Sequence, residues 1–237
     1  MNKTLQIKKR EPLPENIFSD SKKKPEIIET KKVILPKYKI KELSEKLIGS
    51  VHEKNIPKIN EFIREGADIN YVQEYSGKNV VRIAVEKDYV EIVRILALNG
   101  ADLEQFDRDN KDTCLIHAIK SNSIDMVETL IKAKVSVNKK DELGNTPLIW
   151  ACGKNNIEIV TILTNQLCNL NVQNNVGNTA LIYATMNKNY DIIRLLIEKG
   201  ADKNIKNNTG QDALKIISLQ CHNGYYSNIF DLLEGEV

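Results

Sequence analysis

Cys114 and His117 are the residues whose types and spacing come nearest to a metal site, because side chains three positions apart lie on one face of a helix. Thiolate and imidazole are both zinc ligands, but a zinc site needs at least three protein ligands. Cys114 also aligns with Pro147 and Ala180 when the sequence is compared with itself. We therefore predict that this helix packs inside the fold and binds no metal.

Motifs for phosphate binding and hydrolysis are incomplete in the same way. Gly77-Lys78-Asn79 and Gly153-Lys154-Asn155 contain the Gly-Lys pair of a phosphate-binding loop, without its Ser or Thr and without its upstream glycine. His52-Glu53 lacks the second histidine of a metalloprotease motif, and Cys221-His222 stand together without a third catalytic group. The sequence therefore predicts no enzyme, no cofactor and no small-molecule substrate.

The same segments recur at a fixed period. Leu143–Ala151 reads LGNTPLIWA, and Val176–Ala184 reads VGNTALIYA 33 residues later. Lys111–Ala118, one period earlier, reads KDTCLIHA. A period of this length is typical of proteins built from stacked repeats. Amphipathic stretches such as Tyr190–Leu196 follow the recurring segments, so each repeat is predicted to contain two helices.

Residues that cap helices recur with the same period. Their side-chain oxygens can accept from the free backbone N–H groups of a helix N-terminus, and they form the column Asn79, Thr113, Thr146, Thr179 and Asp212. Glycines stand two residues before most of these caps, where a tight turn needs positive φ: Gly77, Gly144, Gly177 and Gly210. Each repeat is therefore predicted to run from a turn through a short first helix and a longer second helix to a loop.

These residues resemble the ankyrin repeat, which reads Asp-x-x-Gly-x-Thr-Pro-Leu-His-x-Ala and closes with Gly-Ala-Asp-x-Asn. Asp141–Leu148 matches the first part and Gly200–Asn204 matches the close. The resemblance implies an all-α solenoid of stacked helix-turn-helix units over residues 43–237. Its repeats are a degenerate unit at 40–73, units at 74–107, 108–140, 141–173 and 174–206, and a C-terminal capping repeat at 207–237. The composition is similar to that of ankyrin repeat proteins of low-GC intracellular bacteria and large DNA viruses.

The chain departs from the family pattern at the His position. That column carries Arg82, Ile116, Ile149, Ile182 and Lys215. We expect apolar packing to replace the family's hydrogen bonds in the middle repeats. The Leu column, with Leu148 and Leu181, is expected to be buried between repeats, and the column of His117, Trp150 and Tyr183 is expected to fill the space between first helices.

Residues 1–42 differ in composition from the rest of the chain. They hold twelve basic and six acidic residues, a net charge of +6, which leaves −4 for the remaining residues. Lysine clusters alternate there with prolines, so we predict a disordered basic arm. Aromatic residues do not interleave with the lysines, which disfavours a nucleic-acid partner, while contact with an anionic surface stays an alternative.

Cysteine usage and hydropathy predict a cytoplasmic protein. The four cysteines show no Cys-x-x-Cys spacing, which indicates reduced thiols. No apolar run approaches the roughly 20 residues of a membrane-spanning helix, and no apolar segment of a secretory signal follows the N-terminal lysines. Export into a host cell without such a signal is an open alternative.

The resemblance implies a protein–protein interaction module that binds through the concave face of an ankyrin array. The turns and the ends of the first helices are its variable sites, which gives the candidate residues Tyr75, Lys87, Asp109, Glu142, Leu143, Lys154, Val176 and Asn187. Leu143 and Val176 are hypothesised to form an apolar centre with Lys154, Asn187 and Glu142 around it. An effector acting on host proteins, a regulatory or inhibitory subunit of an enzyme, and a contact of the basic arm with anionic surfaces or nucleic acid stay open, as do the partner's identity and the oligomeric state.

Overall fold

The computed structural model describes residues 35–105, 111–220 and 227–234, and these residues form twelve α-helices and no strand. The first helices of the successive repeats are α1 (Lys37–His52), α3 (Val80–Glu86), α5 (Cys114–Lys120), α7 (Pro147–Gly153), α9 (Ala180–Met186) and α11 (Ala213–Gln220). The second helices are α2 (Ile56–Glu65), α4 (Val90–Leu98), α6 (Ile124–Lys132), α8 (Ile157–Thr164), α10 (Tyr190–Glu198) and α12 (Ser227–Glu234). The all-α repeat fold is confirmed.

The described residues group into two compact units. The first unit contains the described residues up to Gln105 together with Thr129–Val135, and the second unit contains the other described residues. In the first unit α1 packs against α2 and α3, and α3 packs against α4. In the second unit α7 lies between α5 and α9, and α9 lies between α7 and α11. Helices α8, α10 and α12 form a second layer behind them.

The capping column performs the role that its residue types predict. The side chains of Thr113, Thr146 and Thr179 accept from the backbone N–H three residues on, at the starts of α5, α7 and α9. Asn79 and Asp212 do the same for Arg82 and Lys215. Five different first helices therefore begin where a side-chain oxygen satisfies a backbone donor that has no partner inside the helix.

The core consists of the apolar columns. Leu148 and Leu181 are buried, as expected. The residues that replace the family's histidine in the middle repeats, Ile116, Ile149 and Ile182, are buried as well. Apolar packing has therefore taken the place of a polar contact at that position, and each repeat contributes thin layers of Leu and Ile to the contact with its neighbours.

The first helix begins earlier than the sequence predicted. The boundary placed between residues 42 and 43 lies inside α1, which starts at Lys37 after Pro36. Glu42 pairs with Lys39 at 3.1 Å and with Lys46 at 2.6 Å, spacings that support a helix. The extra lysines of this segment therefore belong to a charged helix face and not to the arm. Residues 1–34, and the insertion expected around Cys221 to Tyr226, lie outside the described residues.

Two turn glycines are required for a second reason besides positive φ. A Cβ at Gly144 would lie 2.5 Å from Asn175 Oδ1, and a Cβ at Gly177 would lie 2.5 Å from Asn208 Oδ1 and 2.6 Å from Asn208 N. Gly210, with φ of +76°, has no such neighbour. The turns of successive repeats thus approach one another more closely than any side chain would allow.

Truncating the Leu column is expected to destabilise the array. Leu148→Ala and Leu181→Ala should each lower the free energy of unfolding by roughly 2–5 kcal/mol, because each leaves a cavity between repeats. Leu167→Ala is the matched control, since Leu167 is 98% exposed and the change should stay within about 0.5 kcal/mol. Urea melts of the three variants measure the differences. Losses below about 1 kcal/mol at both core positions would contradict the buried register.

The two roles of the turn glycines can be separated by substitution. Gly177→Ala and Gly210→Ala both place a Cβ in the left-handed region, which costs roughly 1–2 kcal/mol. Only Gly177→Ala also forces the neighbouring turn to move, so we expect it to cost about 1 kcal/mol more than Gly210→Ala. Thermal and urea unfolding of the pair give the comparison, and equal losses would show that the close approach of the turns carries no energy.

Candidate protein-binding surface

The turns of the second unit hold their tips by hydrogen bonds to the next repeat. Asn175 N donates to Leu143 O at 3.0 Å, and Asn208 N donates to Val176 O at 3.2 Å. The Asn175 amide also donates to Glu142 O, and the Asn208 amide donates to Asn175 O. The backbone of each tip is therefore fixed, while Leu143 and Val176 are 60% and 55% exposed.

A second row of asparagines ties the buried bases of the same turns together. Asn174 Nδ2 donates to Asn145 Oδ1 at 2.8 Å, and Asn207 Nδ2 donates to Asn178 Oδ1 at 3.0 Å. Asn174 Oδ1 also accepts from Asn178 N within its own turn. Because one amide both shapes its own turn and reaches the preceding one, neighbouring turns have a defined spacing.

Two contacts, one with Asp141 and one with Lys120, fix the side chain of Trp150. Its Nε1–H donates to Asp141 Oδ2 at 2.7 Å, which satisfies its polar atom. Lys120 Nζ lies 4.2 Å from the centre of the ring, within the range of a cation–π contact. The buried Asp112 accepts from the same Nζ at 2.8 Å with both carboxylate oxygens. The ring is half-exposed and cannot turn freely, as an anchor residue for a partner requires.

Tyr183 repeats this arrangement one repeat later. Its hydroxyl lies 3.2 Å from Asn174 Nδ2, at the position that Asp141 holds in the preceding repeat. The ring lies against Gly153, where an added Cβ would be 3.9 Å from Tyr183 Cδ1. Met186, 36% exposed, ends the same helix. The column expected to fill the space between first helices is thus half-exposed at Trp150 and Tyr183, and the polar atoms of both side chains are bonded to the turns.

The C-cap residues of α7 and α9 differ in their side-chain contacts. Lys154, the C-cap of α7, is exposed and has no side-chain partner among the described residues. Asn187, the C-cap of α9, donates its amide to Cys152 O at 2.9 Å and to Gly153 O at 3.2 Å. Because this amide caps the preceding first helix, Asn187 contributes to stability as well as to the surface.

Four predicted site residues remain: Tyr75, Lys87, Asp109 and Glu142. Tyr75, 83% exposed, and Lys87, whose Nζ lies 5.9 Å from the Tyr89 ring, belong to the first unit. Asp109 lies outside the described residues. Glu142 belongs to the second unit and its side chain is exposed there. We call the group Leu143, Val176, Trp150, Tyr183 and Met186 the tip surface.

Cys221-His222 lies outside the described residues. Cys114 is buried, and among the described residues no group of three His, Cys, Asp or Glu side chains is placed to hold a metal. Burial raises the pKa of the Cys152 and Cys168 thiols, which disfavours reactive thiolates at either position. Among the described residues, no helix has both the length and the apolar composition needed to cross a bilayer.

The family profile for ankyrin repeats in three copies matches residues 47–141 and 129–207, more than half of the chain. The chain is similar to an ankyrin repeat protein, EF0377, of known crystal structure, with 27% identity, a TM-score of 0.71, and coverage of 81% of this chain and 97% of that one. It is also similar in fold to an ankyrin repeat domain from Acinetobacter baumannii, with 23% identity, a TM-score of 0.73, and coverage of 80% and 96%.

Three curated relatives share parts of the sequence. The chain is 32% identical over 77 residues to the B-cell lymphoma 3 protein homolog of Mus musculus, covering 32% of this chain and 17% of the relative. It is 29% identical over 100 residues to an ankyrin repeat protein of fowlpox virus, strain NVSL, covering 42% and 17%. It is 30% identical over 100 residues to the BRCA1-associated RING domain protein 1 of Caenorhabditis elegans, covering 42% and 14%. The chain thus spans less than a fifth of the length of these relatives.

The chain belongs to the ankyrin repeat family, and its fold is a general protein–protein interaction module. Sequence reasoning placed the exposed tips but missed the network of Lys120, Asp112 and Asp141 around Trp150. It also missed the asparagine rows. A signal was present in the recurrence of Asn145, Asn174, Asn178 and Asn207, which stand at matching positions one period apart.

The buried asparagine row is expected to contribute more to stability than the exposed one. Asn174→Ala removes bonds to Asn145, Asn178 and Tyr183 and leaves buried partners unsatisfied, so we expect a loss of about 2 kcal/mol or more in the free energy of unfolding. Asn175→Ala removes an exposed amide next to it and should cost about 1 kcal/mol or less. Urea melts compare the two variants. An equal loss would mean that the turn spacing does not depend on the buried row.

Proposed function

We propose that the protein binds a protein partner through the turns and first helices of the repeats, which form the concave face of ankyrin arrays, with the tip surface as the centre of contact. The observation that carries this proposal is the pair of exposed apolar side chains, Leu143 and Val176, at the same position of adjacent repeats. Turn tips seldom carry apolar residues, and a pair on consecutive turns makes a contiguous patch where a single one would need no explanation.

The neighbouring contacts support an anchoring role for this patch. Interface hot spots are enriched in Trp and Tyr, and they lie where the side chain is already held before the partner arrives. Trp150 and Tyr183 meet both conditions, because their polar atoms are bonded to Asp141 and Asn174. Lys154 and Glu142 supply charges at the edge of the patch, in the manner of a polar rim.

The wider contact is proposed to use the remaining variable positions. Tyr75 and Lys87 are exposed in the first unit, and Asp109 occupies the equivalent of Glu142 in the preceding repeat. The role proposed for this contact is that of an effector acting on host proteins, in the cytoplasm or after export into a host cell. The similarity to a fowlpox virus ankyrin repeat protein and the Ile-, Asn- and Lys-rich composition support that role. A regulatory or inhibitory subunit of an enzyme is the alternative.

The tip surface can be tested by a double substitution. Leu143→Asp with Val176→Asp should leave stability almost unchanged, because both side chains are exposed, and should abolish capture of the partner from cytosol. Leu167→Asp is the matched control, since it places the same charge at an exposed leucine in the loop after α8. Quantitative mass spectrometry of the captured proteins gives the readout. If the double variant retains every partner at the yield of the control, the proposed surface is wrong.

The basic segment before α1 offers a second route to a partner, because it carries an excess of positive charge. Capture with residues 35–237 compared with the full chain separates the routes. Partners that the shorter chain retains and the Leu143→Asp, Val176→Asp double variant loses belong to the tip surface. Partners that the shorter chain loses, and that the double variant retains, belong to the basic segment.

A further inference from the structure

Charge is segregated between the two helix layers of the second unit. The first helices α5, α7, α9 and α11 contain Lys120 and Lys215 and no acidic residue. The second helices α8, α10 and α12 contain one basic residue, Arg194, and the acidic residues Glu158, Asp191, Glu198, Asp231 and Glu234. Since ordinary helices mix both signs on their solvated faces, a layer without any carboxylate is a property of the surface that a partner would meet.

Exposed lysines also lie on the turns that border the first helices. Lys111 and Lys206 are exposed and have no side-chain partner among the described residues. Asp112 and Asp141 are buried and engaged with Lys120 and Trp150. Asp212 is half-buried and caps α11. Two acidic residues are exposed near these turns: Glu142 beside Leu143, and Asp202 in the loop before Lys206.

Two further lysines complete the positive surface. Lys154 ends α7 and Lys215 lies in the first turn of α11, and both are exposed without a side-chain partner among the described residues. Lys120 is different, because Asp112 accepts from it with both oxygens and neutralises its charge. The uncompensated charge therefore lies around the tip surface and not inside it.

We propose that the partner of the tip surface presents an acidic peptide segment in which carboxylates flank an apolar side chain, and this inference rests on the proposed function. The apolar side chain contacts Leu143 and Val176, and a carboxylate pairs with Lys154. Charge alone would also suit a nucleic acid. The exposed apolar tips favour a peptide, because a phosphate backbone gains nothing from contact with Leu and Val.

Trp150 provides a direct reporter of occupancy. It is the only tryptophan in the chain, it is half-exposed, and its ring borders the turn that carries Leu143. A peptide seated on the tip surface removes water from the ring and changes its fluorescence. A peptide bound elsewhere on the chain leaves the signal unchanged.

The test is a selection from a random twelve-residue peptide display library on the full-length protein. The tip variant is Leu143→Ser with Val176→Ser, which removes the apolar patch without adding negative charge. The charge variant is Lys154→Glu with Lys215→Glu. The control is Lys199→Glu, an exposed lysine after α10 that bonds to Asn165. Circular dichroism melts establish that all variants fold.

The expected result is enrichment of peptides with an acidic residue within a few positions of a Leu, Ile or Phe. Selected peptides, made synthetically, should change Trp150 fluorescence. They should bind the tip variant and the charge variant at least roughly tenfold more weakly and the Lys199 control unchanged. Their association with the wild type should slow as salt is raised, since exposed charges are screened.

Other outcomes overturn the inference and distinguish it from the proposed function. If the enriched peptides lack acidic residues and still do not bind the tip variant, the acidic partner is contradicted and the tip surface is retained as the binding site. If the enriched peptides bind the tip variant as well as the wild type, or if no peptide is enriched, both the acidic partner and the tip surface are contradicted. A random-sequence single-stranded DNA of 20 nucleotides is the last arm. Binding of this DNA that the charge variant loses and the tip variant keeps would assign the surface to nucleic acid instead.

Discussion

The turns that carry Leu143 and Val176 each depend on the next repeat to satisfy a backbone carbonyl group. Leu143 O and Val176 O accept from the backbone of the following turn, and the amides of Asn174 and Asn207 reach back to Asn145 and Asn178. These bonds require the turns to approach closely, which in turn requires glycine at 144 and 177. The turns fix the spacing of the helices that follow them, and the apolar columns pack at that spacing. Hydrogen bonding between neighbouring repeats therefore determines how closely the core can pack.

The same constraint explains where the candidate surface lies. Backbone groups that are already paired offer little to a partner, so a partner proposed to bind at the tips would be recognised mainly through side chains. Leu143 and Val176 project from turns that their neighbours hold, and Trp150 and Tyr183 stand beside them with their polar atoms already bonded. A surface prepared in this way loses little conformational entropy on binding. The following repeat holds the backbone of each tip by hydrogen bonds but does not cover the side chain of Leu143 or Val176. These side chains are therefore exposed on a fixed backbone.

Asparagine supplies the polar links between the turns of the second unit. An amide offers both a donor and an acceptor, so one side chain can shape its own turn and bond to the preceding one. The middle repeats bury isoleucine where the family pattern has histidine, so their packing at that position is apolar. Lysine also has two different roles. Lys120 is paired with Asp112 and lies over the Trp150 ring, while Lys154 has no side-chain partner among the described residues. Residue type alone does not separate these two lysines.

The sequence by itself determined the repeat, the helix order and the buried columns, because these depend on short-range rules that recur with the period. A cap needs an oxygen at Thr146, a turn needs positive φ at Gly144, and a buried face needs Leu148, and each requirement is met within a few residues. It also placed the exposed tips, since turn positions are known once the period is known. Only the tertiary structure decided which side chains those tips and helix ends actually meet.

The ring contact of Lys120 with Trp150, and the capping of α7 by Asn187, join residues that are 30 or more positions apart and lie on different repeats. The start of α1 at Lys37 was likewise hidden, because a lysine-rich segment after a proline has the composition of an arm until its ion pairs within the helix are seen. Local sequence patterns specify the turn, the caps and the two helices of each repeat. Contacts between repeats decide which side chains are exposed and which are bonded, because these contacts join residues that are far apart in the sequence.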